Sequence, residues 1–229
     1  MTEKIIFENI RYCYGDVCAI NKASFTIKKN NITALVGPNG GGKSTIVKLL
    51  VGLLKPGHGQ IQKWDNAKVG YVPQVISFDN SFPATVRDLV LMGTLTNKLL
   101  PFVFYTKENK KKAAEAIKKL SLEGLEDREI NQLSLGQLKR ALIARALASN
   151  ADILILDEPD ESLDIKTTRS LYEIIKKLKT DKTIIIVSHR IAEVLDFADD
   201  AIYASGSVKY YQNPKELKAI MVKDGIFNI

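Results

Sequence analysis

Apolar residues gather along the chain in short blocks, each closed by Gly, Pro or a polar residue, as in NITALVG, KVGYVPQ, DILILDEP and TIIIVSH. Continuous apolar runs of that length are the pattern of strands covered on both faces, as in a parallel sheet. Between them the period lengthens to that of helices, in KSTIVKLLVGLL, TVRDLVLMG, KENKKKAAEAIKKL, GQLKRALIARALA and IKTTRSLYEIIKKLK. Strand and helix alternate, which predicts an α/β fold on a mostly parallel core sheet. The opening 30 residues differ: ENIRYCYGD and ASFTIKK alternate and turn at Gly15-Asp16 and Asn21, predicting an antiparallel β layer beside that core. Residues 77–150 carry helical patterns without a convincing strand. We expect them to form an inserted helical lobe in a single domain, with 1–76 and 151–229 supplying the core and the β layer.

A chain of 229 residues can bury a substantial core. No stretch approaches the ~20 apolar residues of a membrane helix. The nearest is LLPFVFY at 99–105, so the chain is not expected to span a bilayer. It enters a strand pattern without a signal-peptide pattern, and Cys13 and Cys18 stand five apart, which favours a reducing cytoplasm. The excess of 33 basic over 26 acidic residues gives +7 and raises the prospect of a polyanionic partner, nucleic acid or anionic lipid. Much of it is local, in Lys107, Lys110, Lys111, Lys112, Lys118 and Lys119, with Glu108 and Glu115 at helical spacing. A solvated helix face and a helix near lipid headgroups both fit.

The strongest chemical signal follows the strand NITALV. GPNGGGKST, Gly37 to Thr45, fits G-x-x-x-x-G-K-[ST] and opens a helix, which is the context a phosphate loop requires. Glycines let backbone N–H groups approach phosphates, and the helix N-terminus adds a favourable field. Lys43 is placed to neutralise β- and γ-phosphates, and the Ser44 hydroxyl to ligate Mg²⁺. The strand DILIL ends in Asp157-Glu158-Pro159. At the carboxyl edge of a parallel sheet, Asp157 suits the Mg²⁺ shell and Glu158 suits taking a proton from an attacking water. Gln74 and His189 leave their strands at the same edge, toward the γ-phosphate or the water. His58, in KPGHGQ, reads as a turn residue. LSLGQLKR, residues 133–140, sets a serine and a glycine at the mouth of a basic helix and reads as a second anion seat.

The ordered set GPNGGGKST, YVPQ, LSLGQLKR, ILILDEP, SLD and VSH resembles the ATP-binding subunit of ABC transporters over essentially the whole chain. The resemblance implies ATP and Mg²⁺ as cofactors. ATP would be held by Gly37, Asn39, Gly40, Gly42, Lys43, Ser44 and Thr45, and Mg²⁺ by Ser44, Gln74 and Asp157. Hydrolysis would rest on Glu158, His189, Gln74 and Lys43. Tyr14 would stack on adenine, its alternative being a plain strand tyrosine of the β layer. Ser134, Gly136 and Gln137 would close over the ATP of a second subunit, which gives the second anion seat its purpose. Ser162, Leu163 and Asp164 would link the two sites, with Asp164 near the nucleotide.

The implied partners are a second copy or another ATPase subunit, integral membrane permease subunits, and, indirectly, a solute-binding protein, all at the cytoplasmic face of the cell membrane. The segment SFPATVRDLVLMG resembles that of manganese, zinc and iron importers, with siderophore and haem importers as neighbours. Phe82 to Met92 and Leu99 to Tyr105 would dock on a permease helix, although LLPFVFY suits a lobe core equally well.

Several residues depart from the family pattern. Leu135 replaces a glycine, Lys139 stands where glutamine is common, and Arg190 follows His189 where Asp is commoner. Asp160 replaces a threonine; placed close to Glu158 and poorly solvated, it would raise the proton affinity of the pair. A different class, a soluble ABC-type ATPase acting on nucleic acid or ribosomes, suits the pI of about 9.2. The single phosphate loop and the lack of sustained heptads count against it. A non-hydrolysing switch conflicts with the intact Glu158 and His189.

Overall fold

The computed structural model describes residues 4–74, 83–95 and 105–223. Its centre is a six-stranded sheet of β3 (Ile32–Val36), β5 (Val69–Val72), β6 (Ile153–Asp157), β7 (Thr183–Val187), β8 (Asp200–Ala204) and β9 (Val208–Tyr211), in the order β5-β6-β7-β3-β8-β9. The first five neighbours run parallel and β9 pairs antiparallel with β8. A second, antiparallel sheet orders β2 (Val17–Lys28), β1 (Lys4–Tyr14) and β4 (His58–Gln62).

The apolar runs are continuous because each central strand serves two cores. Side chains alternate along a strand. Leu154, Leu156, Ile184 and Ile186 therefore point into one core, while Ile153, Ile155, Ile185 and Val187 point into another. The second core lies between the two sheets and includes Ile46 and Leu50 of α1 (Lys43–Val51), with Ile5, Phe7 and Ile27 of the antiparallel layer. The first core is covered by α2 (Val86–Met92), α3 (Lys107–Lys119), α4 (Leu135–Ala148) and α5 (Ile165–Leu178), through Leu89, Ile117, Ile143 and Ile175 among others. Two further helices, α6 (Ile191–Phe197) and α7 (Pro214–Lys223), contribute Val194, Leu195, Leu217 and Met221 to it. Full burial of one such aliphatic side chain contributes roughly 1.5–3 kcal/mol.

Local chemistry sets the helix starts. Thr85 and Asp88, Thr106 and Asn109, and Ser134 and Gln137 form capping boxes at α2, α3 and α4, and Asp164 caps α5 through the Thr167 N–H. Each such cap contributes about 1 kcal/mol. On α3 the lysines stand outward, with Lys112 paired to Glu108 at 2.6 Å, while Ala113, Ala116 and Ile117 face inward. That is the arrangement of a solvated helix face.

One expectation is corrected, and the structure adds strands that the sequence pattern did not show. His58 does not sit in a turn but opens β4 opposite Arg11, so the antiparallel layer reaches beyond the opening 30 residues. Because β4 is an edge strand with only Ile61 partly covered, it lacks an apolar alternation to betray it. β8 and β9 were not legible either: DAIYA and VKYY mix small and polar residues with few aliphatic ones. Cys13 and Cys18 face each other across the β1–β2 pair and are joined by a disulfide. Phe82 and Leu99 to Phe104 lie outside the described residues, and Tyr105 packs partly buried against the first core.

Packing is tight where α2 ends. A Cβ on Gly93 would stand 1.9 Å from the Arg145 carbonyl oxygen of α4. The backbone there is ordinary right-handed helix, so the constraint is purely one of space. Gly93→Ala is expected to lower unfolding stability by about 1–3 kcal/mol, the usual range for overpacking, as read from the urea midpoint.

Candidate active site

The phosphate loop runs from the end of β3 into α1, and its glycines have backbone reasons to be there. Gly37 has φ 145°, and a Cβ on it would meet the Ala204 carbonyl oxygen at 1.9 Å. α1 starts at Gly42 with no side-chain cap, so its first N–H groups are left for an anion. Lys43 is buried, and its Nζ donates to the carbonyls of Gly37 at 2.8 Å and Pro38 at 2.9 Å. Burial lowers its pKa, opposed by the charges of Glu158 and Asp157.

The loop forms one wall of a cavity of about 600 Å³ lined by Tyr14, Val17, Cys18, Ala19, Asn39, Gly40, Gly42, Lys43, Ser44, Thr45, Gln74, Asp157, Glu158, Val187 and His189. Eleven of the site residues named from the sequence thus converge, with Gly37 lying in the same loop. Tyr14 is half exposed at the rim, at the β1–β2 turn, where a flat ring system could stack on it.

Opposite the loop, the carboxyl ends of β5, β6 and β7 bring three polar side chains together. Gln74 Nε2 donates to Glu158 Oε2 at 2.9 Å and to Glu161 Oε1 at 3.2 Å. His189 Nε2 lies 2.8 Å from Glu158 Oε1. Glu158 is thereby held at both oxygens. Its pKa is raised, first by burial and then by Glu161 and Asp157, with His189 and Lys43 opposing. Asp157 is also raised by burial, opposed by the Tyr71 hydrogen bond, Lys43, His189 and Lys139. Tyr71 Oη donates to Asp157 Oδ2 at 3.0 Å, and burial followed by that carboxylate pushes the phenol well above its ordinary range.

Asp160 does not act as expected. Its carboxylate turns inward, accepting from Tyr172 Oη at 3.0 Å and Ser188 Oγ at 2.8 Å. The acidic neighbours that raise Glu158 are Glu161 and Asp157. Sequence reasoning also missed Tyr71, because its role depends on β5 pairing with β6, which no local pattern reveals. Arg190 was seen only as a departure; its guanidinium donates to the Leu163 carbonyl and to Thr168 Oγ1, tying the segment after His189 to the loop before α5.

Ser44, Gln74 and Asp157 offer a hydroxyl, an amide oxygen and a carboxylate, the hard oxygen donors that suit Mg²⁺. Among the described residues no group of three or more His, Cys, Asp or Glu is placed to hold a metal alone. Ser134, Gly136, Gln137 and Asp164 do not line this cavity. They cluster at the start of α4 and α5, where a Cβ on Gly136 would meet Thr167 Cγ2 at 2.6 Å. Leu135, in the same turn, is exposed.

The family model described as ABC transporter matches residues 20–161. A zinc import ATP-binding protein, ZnuC, of Rickettsia bellii is 38% identical over 209 residues, covering 89% of this chain and 84% of that protein. The manganese transport system ATP-binding protein MntB of Listeria monocytogenes is 37% identical over 202 residues, covering 85% and 84%. Among solved structures, a dimeric bacterial ABC transporter cassette superposes with a TM-score of 0.71 at 29% identity, covering 90% of this chain and 96% of that one.

The two anion seats separate experimentally. Lys43→Ala is expected to abolish Mg²⁺–ATP binding by dilute protein, whereas Ser134→Arg leaves it unchanged, because only Lys43 lines the cavity. A titration with fluorescent ATP analogue checks both, and equal weakening would refute the separation.

Proposed function

Because the chain belongs to the ATP-binding subunits of ABC transporters, we propose that it powers import of a metal ion or metal chelate through a separate membrane permease. The observation that carries the catalytic part is Glu158, held by Gln74 and His189 across the cavity from the phosphate loop. The substrate class rests on the zinc and manganese import proteins it resembles.

In this reading Gly37, Asn39, Gly40, Gly42, Lys43, Ser44 and Thr45 hold the ATP phosphates and Tyr14 receives the adenine. Ser44, Gln74 and Asp157 hold Mg²⁺, which supplies positive charge to the phosphate oxygens. Glu158 takes a proton from the attacking water, and its raised pKa brings the carboxylate nearer in strength to the proton it must accept. His189 and Gln74 keep that carboxylate turned toward the cavity, and Lys43 neutralises charge on the leaving side.

Ser134, Gly136, Gln137 and Asp164 complete the site of a second subunit. Their absence from their own chain's cavity and the dimeric form of a related cassette support this. Closure around two ATP molecules and separation after hydrolysis are then the motion that the permease converts into transport. No helix among the described residues is long and apolar enough to cross a membrane, so the subunit would act at the cytoplasmic face of the membrane through its permease.

Glu158→Gln is expected to keep ATP binding, to slow hydrolysis by roughly 10²-fold or more, as loss of a positioned base does, and to accumulate an ATP-bound dimer. Single-turnover hydrolysis with size-exclusion chromatography reads both effects. A near-normal rate would remove Glu158 from the mechanism. Salt-sensitive binding of DNA or RNA with nucleic-acid-stimulated ATPase would instead replace the transport assignment.

A further inference from the structure

Lys139 is a buried lysine with no part in the cavity. It projects from α4, and its Nζ donates to the backbone carbonyl of Glu158 at 3.2 Å and to that of Gln74 at 3.4 Å. The side chain of Gln74 in turn donates to the carboxylate of Glu158 at 2.9 Å. Three residues from three elements therefore close a ring: Lys139 to both carbonyls, and the two carbonyl-bearing residues to each other.

The ring matters because of the backbone at Glu158. Its φ of 51° is left-handed, a conformation unfavourable to a residue with a long side chain, and it persists only where the surroundings over-determine it. The Glu158 N–H is fixed by the Val187 carbonyl at 2.8 Å, and Lys139 fixes the other end of the residue. A lysine suits the task, since its compact head can serve two acceptors at once from a long apolar stem.

We propose that Lys139 is a positioning residue for ATP hydrolysis, acting from α4 on the backbones of Glu158 and Gln74 to hold the proton acceptor in place. This rests on the reading of Glu158 as that acceptor. Because α4 begins at Ser134, the same helix that presents the candidate seat for the partner's nucleotide also braces this subunit's own hydrolytic edge. Helix α4 is then a rigid link between the two.

The test compares Lys139→Met, which keeps the stem and removes the donors, with Lys139→Gln, which restores an amide donor. Each is measured as full-length protein for Mg²⁺–ATP affinity, thermal midpoint and single-turnover hydrolysis. Lys139→Met is expected to hydrolyse about tenfold slower or more, in line with small misplacements of reacting groups, with affinity and midpoint retained. Lys139→Gln should recover most of the rate. In a Glu158→Gln background Lys139→Met should change nothing further, because it acts through Glu158.

A wild-type rate in Lys139→Met overturns the proposal, as does equal slowing of both variants with loss of ATP affinity, or a multiplicative loss in the Glu158→Gln background. Lys139→Leu takes the place of the methionine variant should that fail to fold. A wild-type rate in Glu158→Gln alone sinks the catalytic reading and this inference together. Slow Glu158→Gln beside fast Lys139→Met sinks only the inference.

Discussion

The uncapped first turn of α1 is the constraint around which this molecule is arranged. Backbone N–H groups without an internal partner need an anion or water, and here no side chain answers them. A glycine-rich approach keeps that end open, and Lys43 adds a buried positive charge beside it. Left alone, such a concentration of donors would be unfavourable to bury. It is balanced by carboxylates at the ends of neighbouring strands, the groups to which the proposed function assigns the chemistry on a phosphate.

The balance is also why the carboxylates are not equivalent. Asp157 accepts from Tyr71 and Glu158 from Gln74, with His189 against its other oxygen. Both have raised pKa values because burial outweighs their cationic neighbours. Glu161 adds its charge to Glu158, whereas Asp160, next to Pro159, is taken out of the exchange by Tyr172 and Ser188. Two positions along the chain thus separate a carboxylate that faces the cavity from one that anchors the fold.

Much of this was legible in the sequence where the residue itself bears the physics. The phosphate loop announces itself by glycine spacing before a helix, whereas Asp157-Glu158, Gln74 and His189 are ordinary strand-end residues taken singly and gain weight only by sharing its sheet edge. The five helical patterns named from periodicity appear where it put them, four of them starting at capping side chains. What escaped depends on neighbours distant in the chain. Tyr71 needs the β5–β6 pairing, Arg190 needs the Leu163 carbonyl, and β4 pairs with β1 through a backbone ladder to which most of its exposed side chains contribute no apolar pattern. The direction taken by Asp160 is likewise set by Tyr172, twelve residues on, rather than by the adjacent Glu158.

The double service of the central strands has a consequence for how the molecule comes apart. Because β3, β6 and β7 send alternate side chains into two cores, neither core can open without stripping one face of the same strands. The antiparallel layer and the helical cover are thereby joined into one cooperative unit through a shared wall five residues deep. Amide protons of these strands would exchange only through global unfolding, and a defect on either side of the sheet would be felt as a loss of stability on both.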